Sequence, residues 1–335
     1  MIKIGIIGLG RLGVQHFEKL MESPYFKVVG CYDIEPEKLK HIEEDYTIQC
    51  FNDVDELIKK CDAVDILTPA DSHFYYAEKA IKQGKHVFLD KPISNNLEEA
   101  KKIVELVREA GIKFQIGHIE RFNPAYLALK KQALEPMFIE AHRLAYFDAH
   151  RTDESVILDM MIHDIDIVLS VVKANIKTIN ASGVSVMSNQ IDVANARIEF
   201  DNGCVANLTA SRTSVQKMRK ISFFQKDNHI TLDFLHREAE VVKLSEKAIH
   251  NSKIFKQVEA TKYLNLSTIV LDEYDALKEE LNSFAECLIF NSEPCINALD
   301  GLKSLEVATE ILLKINKING ISFSNDIEVP IPYAQ

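Results

Sequence analysis

The sequence is poor in glycine, in positive charge and in long apolar runs. It has 12 glycines among 335 residues, about half of the average usage of about 7%. With 39 lysine and arginine residues against 50 aspartate and glutamate residues, its formal net charge is −11. This excess of acid, with no basic cluster to offset it, excludes a surface that binds nucleic acid. No apolar run approaches the about 18 residues that a membrane-spanning helix needs, so no membrane partner is expected.

Cysteine is also sparse, and its spacing excludes two classes of small domain. The six cysteines are scattered without a CxxC pair, which is unlike a disulfide framework or a zinc module. Scattered thiols are typical of a reducing compartment, and the N-terminus lacks the longer apolar stretch of a secretory signal. We therefore expect a cytoplasmic protein with no metal site and no redox role for its cysteines.

The first 120 residues alternate between strand and helix patterns. Nearly all-apolar runs such as Ile2–Ile7 and 63–67 predict buried parallel strands. Segments such as 11–21 and 97–110 predict the helices between them, and Gly84 is placed to end one helix in the left-handed conformation. Repeated βα units of this length predict a parallel sheet with right-handed crossovers.

After residue 120 the pattern changes. Strand patterns follow one another from 176 to 235, and the Asp-Asn-Gly stretch at 201–203 is typical of a hairpin turn. Helices are predicted at 124–133, 155–172, 272–291 and 299–318. The sequence thus predicts an α/β protein with an N-terminal parallel-sheet domain, residues 1–120. A C-terminal α+β domain with an open, largely antiparallel sheet is predicted for residues 121–335.

The scarce glycines are concentrated at the N-terminus. The run GLGRLG at 8–13 follows a buried strand and opens a helix, and Asp33 ends the next strand twenty residues after Gly13. This is the full context of the dinucleotide-binding fingerprint of the Rossmann fold. Gly8 permits the tight turn, Gly10 lets the backbone approach the pyrophosphate, and Gly13 lets helix and strand pack closely. The alternative is a tight turn that binds no ligand.

Asp33 predicts which dinucleotide binds. A carboxylate at this position accepts hydrogen bonds from the adenosine ribose hydroxyls and repels a 2′-phosphate. The next residue is Ile34, so no arginine is present there to hold that phosphate. We therefore expect NAD to be preferred over NADP. The alternative is that Asp33 serves only as a turn or helix-capping residue.

Polar residues follow three of the predicted parallel strands, at the edge where an open parallel sheet binds its ligands. These are Thr68 and Pro69 with His73 nearby, Asp90-Lys91-Pro92, and the segment GHIERFNP with Arg121 and Asn123. Lys91 directly follows a hydrophobic strand, so its ammonium is expected to project toward the nicotinamide. Pro92 fixes the turn, and the Lys91–Pro92 bond is one that can be cis. The alternative for Lys91 is a solvated loop residue.

The C-terminal domain has one dense group of polar residues on a predicted helix. Asp159 and His163 are one helical turn apart, and Asp166 lies three residues after His163. A histidine moves a hydroxyl proton near neutral pH, and a carboxylate one turn away orients the ring. The alternatives are a metal site, which lacks a second His/Cys pair to complete it, and a histidine that only caps or bridges within the helix.

Four segments together carry a family resemblance. They are MIKIGIIGLGRLG, TPADSHFYYA, GKHVFLDKP and DMMIHDID. In this order they resemble the Gfo/Idh/MocA oxidoreductases, NAD(P)-dependent sugar and cyclitol dehydrogenases with a Rossmann domain and an open-sheet domain. The resemblance implies that Lys91 is the active-site lysine and that Asp159 and His163 belong to the catalytic set. Asp90 stands where the family usually has glutamate, and Met161 where it often has glycine, a change expected to narrow the pocket.

A finer resemblance concerns the substrate. GHIERFNPA and LDMMIHDID are similar to the subgroup of UDP-N-acetylglucosamine 3-dehydrogenases, which make a 3-keto nucleotide sugar. A diphosphate substrate favours guanidinium groups, and Arg121, Arg143 and Arg151 are candidates. The alternative is surface arginines paired with Asp148 or Asp153. Dehydrogenation of a free sugar or inositol also stays open.

These predictions combine into one site. The residues expected to bind the cofactor are Gly8, Gly10, Arg11, Leu12, Gly13, Asp33, Thr68, Pro69, His73, Asp90 and Lys91. Those expected to bind substrate are Arg121, Asn123, Arg143, Arg151, Asp159 and His163. Folding is expected to bring Lys91 and His163 together at the nicotinamide ring, with either residue taking the proton. The competing hypothesis is an NAD-binding sensor without catalysis, which needs no Lys91, Asp159 or His163. The open sheet face predicts a homodimer or homotetramer.

Overall fold

The computed structural model contains two compact units. It describes residues 1–129, 134–244, 264–270 and 274–318. The first unit comprises Met1–Phe122 together with Asp275–Glu306, and the second comprises the described residues of 123–274 and 307–318. The change of unit at Phe122 falls two residues after the predicted boundary at 120. The return of 275–306 to the first unit differs from the predicted division.

Strands supply two sheets in the described residues. Their bounds are β1 Ile2–Ile7, β2 Phe26–Tyr32, β3 Ala63–Ile66, β4 His86–Asp90, β5 Phe114–Gly117, β6 Phe138–Leu144, β7 Ile176–Val184, β8 Val193–Phe200, β9 Val205–Ser211, β10 Met218–Gln225, β11 Asn228–Asp233, β12 Glu238–Leu244 and β13 Leu264–Val270. The strands predicted from the sequence are found within a few residues of their expected ends. β12 and β13 were not predicted, although Glu238 and Glu240 alternate with Ala239 and Val241 as in a half-buried strand.

The α-helices are fewer and are distributed along the whole chain. Their bounds are α1 Arg11–Met21, α2 Pro36–Asp45, α3 Val54–Lys60, α4 His73–Lys82, α5 Leu97–Ala110, α6 Pro124–Leu129, α7 Ile162–Val171, α8 Ala276–Phe290 and α9 Ala298–Ile318. Gly84 lies just after α4 with φ +67°, which confirms its predicted left-handed conformation. The predicted continuation of α6 through 130–133 lies outside the described residues. No helix of the described ranges is long and apolar enough to cross a membrane.

The first unit is built on a parallel sheet of five strands in the order β2-β1-β3-β4-β5, as the alternation of strand and helix predicts. Its core includes Phe284 of α8, whose ring lies 6.4 Å from that of Phe26 and 5.7 Å from that of Phe88. Leu281 and Ala285 of the same helix are buried in this core. The segment 275–306 therefore belongs to the first unit because α8 completes its apolar interior.

The second unit is built on an eight-stranded sheet in the order β13-β12-β11-β10-β6-β9-β8-β7. β6 and β9 are parallel and the other neighbours are antiparallel, which confirms the largely antiparallel prediction. The hairpin between β8 and β9 is closed by the Gly203 N–H, which donates to the Phe200 carbonyl at 3.1 Å. Side chains of β6 alternate strictly, so that Ile139, Ala141 and Arg143 are buried and their neighbours are half-exposed.

The segment before α7 departs from the predicted helix over 155–172. Residues Ile157–Met161 form a π-helical turn, which α7 follows directly. A π turn closes its hydrogen bonds over five residues instead of four. The spacing of side chains along this segment therefore differs from that of the regular α-helix on which Asp159 and His163 were placed.

Candidate functional site

The turn between β1 and α1 has the shape that the glycine fingerprint predicts. Gly8 has φ +97°, a conformation that favours glycine. A Cβ on Gly13 would lie 2.1 Å from the Gly8 carbonyl oxygen, so the turn and the helix can pack only without one. A Cβ on Gly10 would meet no described atom within 4 Å. The backbone at Gly10 therefore borders open space, as a site that admits a pyrophosphate requires.

The residues after Gly10 begin α1. Gly10 is the N-cap of this helix, so the first backbone N–H groups of the helix are available to phosphate oxygens. Arg11 is exposed and Leu12 is half-buried at this end. The geometry of the turn and of the helix start fits a dinucleotide.

Asp33 contacts the same turn. The Leu9 N–H donates to Asp33 Oδ2 at 2.7 Å, and the Glu35 N–H donates to Oδ1 at 2.9 Å. Lys38 Nζ lies 3.9 Å from Oδ1. The bond from the Glu35 N–H is the turn role that the sequence left open as an alternative for Asp33. The bond from the Leu9 N–H ties the same carboxylate to the glycine turn. Each carboxylate oxygen has more than one acceptor direction, so both can also accept from ribose hydroxyls.

A buried ion pair anchors α1 to the sheet. His16 Nδ1 lies 2.9 Å from Asp65 Oδ2 on β3, and both side chains are almost fully buried. Burial by itself lowers the pKa of His16, but the charge of Asp65 and its hydrogen bond outweigh burial, so the pKa is raised above its usual value. The proton on His16 therefore stabilises the first unit.

This pair predicts a loss of stability with rising pH. Because the pKa of His16 is raised on folding, its contribution is complete below about pH 6.5 and is lost as the pH rises through the folded value. His16→Leu leaves the Asp65 charge unpaired, which costs about 3–5 kcal/mol. We expect the difference in melting temperature between wild type and His16→Leu to be large at pH 6 and smaller at pH 9. The double variant His16→Leu/Asp65→Leu is the control, and a pH-independent difference would contradict the assignment.

The turn after β3 is fixed by side-chain bonds. Thr68 is half-exposed and Pro69 is exposed. Ser72 Oγ donates to Thr68 Oγ1 at 2.8 Å. The ring of His73 is buried, with Nε2 2.8 Å from the Thr68 carbonyl oxygen and Nδ1 2.8 Å from that of Pro92. His73 therefore joins the turns that follow β3 and β4 through both ring nitrogens, instead of presenting a nitrogen to a ligand.

The turn after β4 carries Lys91. Its side chain is half-buried at the end of the sheet, next to Asp90, the last residue of the strand. The Lys91–Pro92 bond is cis, which the sequence allowed. Lys91 thus lies at the carboxyl edge of the sheet, where an α/β sheet binds its ligands.

Two further polar residues follow β5 at this edge and were not among the predicted site residues. The side chains of His118 and Glu120 are almost fully buried, whereas that of Arg121 is half-exposed. The backbone N–H of Arg121 donates to the His118 carbonyl. Their position directly after a buried strand, the signal used for Lys91, could have pointed to both.

Asn123 begins the second unit and uses its side chain locally. Its Oδ1 accepts from the Ala125 N–H at 3.1 Å, and its Nδ2 donates to the Phe234 carbonyl at 3.1 Å. These bonds fix the start of α6.

The polar side chains of the π turn and of the first turns of α7 differ in their exposure to solvent. Asp159 and His163 are half-exposed, while Asp164 and Asp166 are buried. Asp159 and His163 are therefore partly accessible to solvent. The expectation that Met161 narrows the pocket is wrong, since its side chain is fully buried in the core.

Arg143 has a different partner from those considered in the sequence. Its Nε lies 3.1 Å from both carboxylate oxygens of Asp164, and its Nη2 lies 2.7 Å from Oδ1. Both side chains are nearly fully buried, at 4% and 3% exposed. Arg143 therefore pairs with Asp164, and not with Asp148 or Asp153. The side chain of Arg151 lies outside the described part of the chain.

A second buried arginine holds the segment that leads into the π turn. Arg212 donates from Nη2 to the carbonyls of Glu154 and Ile191 and lies 3.0 Å from Asp192 Oδ1 through Nε. Asp192 also accepts from three backbone N–H groups and the Ser188 hydroxyl. Burial alone would raise the pKa of Asp192, but these hydrogen bonds lower it well below its usual value.

Over 1–129, 134–244, 264–270 and 274–318, no three His, Cys, Asp or Glu side chains are grouped so as to hold a metal ion. All six cysteines are free thiols. Burial raises the pKa of Cys61 to about 12 and that of Cys50 to about 11, which is opposite to the shift of a reactive thiol.

Comparison with known families decides the class of protein. The sequence model of a family described as oxidoreductases with an NAD-binding Rossmann fold matches residues 2–118. The family model of the GFO/IDH/MocA C-terminal domain matches residues 116–231. The chain belongs to the Gfo/Idh/MocA oxidoreductase family. The family expected from the sequence is thereby confirmed, and with it an NAD(P)-binding Rossmann domain.

Individual relatives of this Gfo/Idh/MocA protein cover nearly its whole length. It is 29% identical over 315 residues to UDP-N-acetylglucosamine 3-dehydrogenase of Acidithiobacillus ferrooxidans, covering 94% of this chain and 97% of the relative. The solved structure of that enzyme superimposes with a TM-score of 0.87 and covers 98% of that chain. The NAD⁺-dependent scyllo-inositol 2-dehydrogenase of Bacillus subtilis is 26% identical over 332 residues, covering 91% of this chain and 92% of the relative.

Proposed function

We propose that this oxidoreductase is an NAD-dependent dehydrogenase that oxidises the 3-hydroxyl of UDP-N-acetylglucosamine to a ketone. The observation that carries the substrate is the 29% identity over 94% of the chain to an enzyme with that activity. The half-exposed Asp159 and His163 and the strand-end Lys91 support the chemistry, because a sugar dehydrogenase needs a proton acceptor and a donor to the reacting oxygen.

The preference for NAD over NADP is part of the proposal. Its support is Asp33, whose carboxylate is bound to the glycine turn through the Leu9 N–H at 2.7 Å. A fixed negative charge at this position repels a 2′-phosphate and accepts from two ribose hydroxyls.

Asp33→Ser tests this preference. We expect the dissociation constant of NADH to rise about tenfold or more and that of NADPH to fall, because the variant removes both the ribose contacts and the repulsion. Fluorescence titration of each dinucleotide measures both values without substrate. Asp53→Ser is the control, since Asp53 only caps α3 through the Asp55 N–H. Equal or better binding of NADPH by wild type would contradict the proposal.

The proposed mechanism assigns a role to each side chain. Bound NAD⁺ supplies the hydride-acceptor chemistry. His163 accepts the hydroxyl proton at a ring nitrogen, and Asp159 orients the ring or the sugar. Lys91 Nζ donates a hydrogen bond to the reacting oxygen and stabilises its developing charge. We propose that Lys91 and His163 act as a unit on the same reacting oxygen.

The diphosphate of the substrate needs donors of its own. Arg121 is half-exposed, and we propose Arg121 and Arg151 for this role because planar guanidinium groups match phosphate oxygens. Arg143 is less suited, since two of its nitrogens already bind Asp164.

The activity is tested by incubating the full-length protein with NAD⁺ and following NADH by absorbance. Separate reactions contain UDP-N-acetylglucosamine, N-acetylglucosamine, glucose and myo-inositol. We expect the highest kcat/KM with UDP-N-acetylglucosamine and a 3-keto product by mass spectrometry. Faster oxidation of a free sugar or inositol would contradict the proposed substrate and would assign that compound in its place. Tight NADH binding without turnover of any compound would favour the sensor.

We also propose that the open face of the second sheet joins copies of the chain as a dimer or tetramer. Phe138 and Phe224 pack edge to face on neighbouring strands, and Phe224 stacks on His229 at 4.3 Å. Aromatic side chains left partly exposed on a sheet favour self-association. Sedimentation as a monomer at micromolar concentration would contradict this.

Six free thiols support the proposal that the protein acts in the cytoplasm.

A further inference from the structure

The buried ion pair between β6 and α7 has a geometry that controls orientation. Arg143 is on the core-facing side of its strand, so its guanidinium projects from the sheet toward the helix. Two of its nitrogens bind the Asp164 carboxylate, and such two-point contacts restrict direction as well as distance. The pair therefore limits how α7 can rotate above the sheet.

Stability alone does not account for this pair. Removing two charges from water has a large desolvation cost, and well-packed apolar residues at such positions are often equally or more stabilising. Ile139 and Ala141 on the same strand and Ile165 and Ile167 on the helix are buried in the apolar core of this unit. Apolar side chains could fill this space, but they would not fix the helix in one rotational position.

The position of Asp164 links the pair to the proposed chemistry. Asp164 directly follows His163, and both lie in the first turn of α7, just after the π turn. Asp164 is buried and His163 is half-exposed. Fixing the carboxylate from the inside therefore fixes the direction in which the imidazole leaves the helix on the outside.

We propose that Arg143 and Asp164 are a positioning pair that sets the orientation of the His163 imidazole, and that Arg143 does not bind the substrate diphosphate. The proposal rests on the proposed function, in which His163 accepts the hydroxyl proton. It assigns a role to Asp164, which the sequence analysis did not single out, and changes the expected role of Arg143.

A double-mutant cycle tests the proposal. The variants are Arg143→Met, Asp164→Leu and the double variant, with the conservative Arg143→Lys in addition. The matched control is the exposed pair on α9, Lys314→Met with Glu310→Leu, whose charges lie 3.9 Å apart. We expect kcat for UDP-N-acetylglucosamine to fall by about 10- to 100-fold in all four variants, because a misplaced catalytic group can cost about 10²-fold. KM is expected to change less than about threefold, and the control pair to have no effect on either constant.

The double variant separates positioning from folding. We expect it to melt closer to the wild-type temperature than either single variant, because it removes both charges of the pair, but to keep the low kcat. Wild-type kcat in a stably folded double variant would overturn the proposal. A KM that rises tenfold or more in Arg143→Met but not in Asp164→Leu would also overturn it, and would assign Arg143 to the diphosphate.

A readout that does not need turnover distinguishes this proposal from the proposed function. In protein labelled with ¹⁵N-histidine, the ring resonances of His163 are assigned by their loss in His163→Gln. We expect them to shift in Arg143→Lys and Asp164→Leu and to stay unchanged in the α9 control. Unchanged resonances would overturn the positioning role. If wild type oxidises no nucleotide sugar but the resonances shift, the proposed function fails and the orientation of His163 by the pair stands.

Discussion

Turnover of UDP-N-acetylglucosamine is expected to fall about 10²–10⁴-fold when Lys91 or His163 is replaced by alanine. His163→Ala removes the ring nitrogen that accepts the hydroxyl proton. Lys91→Ala removes the ammonium that stabilises charge on the reacting oxygen. Because the two residues are proposed to act as a unit, the double variant is expected to be little slower than the slower single variant. Initial rates at saturating NAD⁺ and substrate measure these effects.

Controls in each unit distinguish a chemical role from general damage. His236→Ala removes a histidine that is 65% exposed, and Lys82→Ala removes a lysine that is 60% exposed. Both are expected to keep kcat within about twofold of wild type. His163→Gln keeps a hydrogen-bonding group but cannot accept the proton in the same way, so it is also expected to be slow. Near-wild-type turnover in both alanine variants would remove the proposed catalytic assignment.

Gly13→Ala is expected to destabilise the first unit and to weaken its binding of NADH. The new methyl group would lie 2.1 Å from the Gly8 carbonyl oxygen, and a backbone atom cannot move aside without separating α1 from the turn. Overpacking of this kind costs about 3 kcal/mol. The melting temperature and the fluorescence titration of NADH measure the two effects.

Gly10→Ala gives a matched comparison at the same turn. Gly10 has an ordinary φ of −65° and no described atom within 4 Å of a new Cβ. We expect this variant to melt like wild type but to bind NADH about tenfold more weakly or worse, because the methyl group occupies space that the pyrophosphate needs. Normal affinity in Gly10→Ala would mean that the dinucleotide does not approach this turn. Normal stability in Gly13→Ala would contradict the packing described here.

The parts of the fold that depend on neighbours in the sequence could be predicted. β1 and α1 have the bounds predicted for them, 2–7 and 11–21, and the glycine turn has the predicted conformation because φ at Gly8 is a local property. The hairpin at 201–203 is similar, since the turn residues themselves select its geometry.

The parts that depend on distant residues could not be predicted. Arg143 and Asp164 meet only after β6 is placed under α7, so the sequence offered nearer acids as partners. The π turn at Ile157–Met161 was not predicted, because π turns are rare and the apolar pattern indicated only a helix. His73 has the spacing of a site residue, and only the fold shows that its two nitrogens bind backbone carbonyls.

The late return of the chain to its first unit has a consequence for biosynthesis. Phe26 and Phe88 are synthesised early, but the ring of Phe284 that covers them follows about 200 residues or more afterwards. At about 5–20 residues per second, the ribosome leaves that interior uncovered for about 10–50 seconds. An emerging chain of this protein therefore presents an aromatic surface to chaperones until the intervening sheet has been translated.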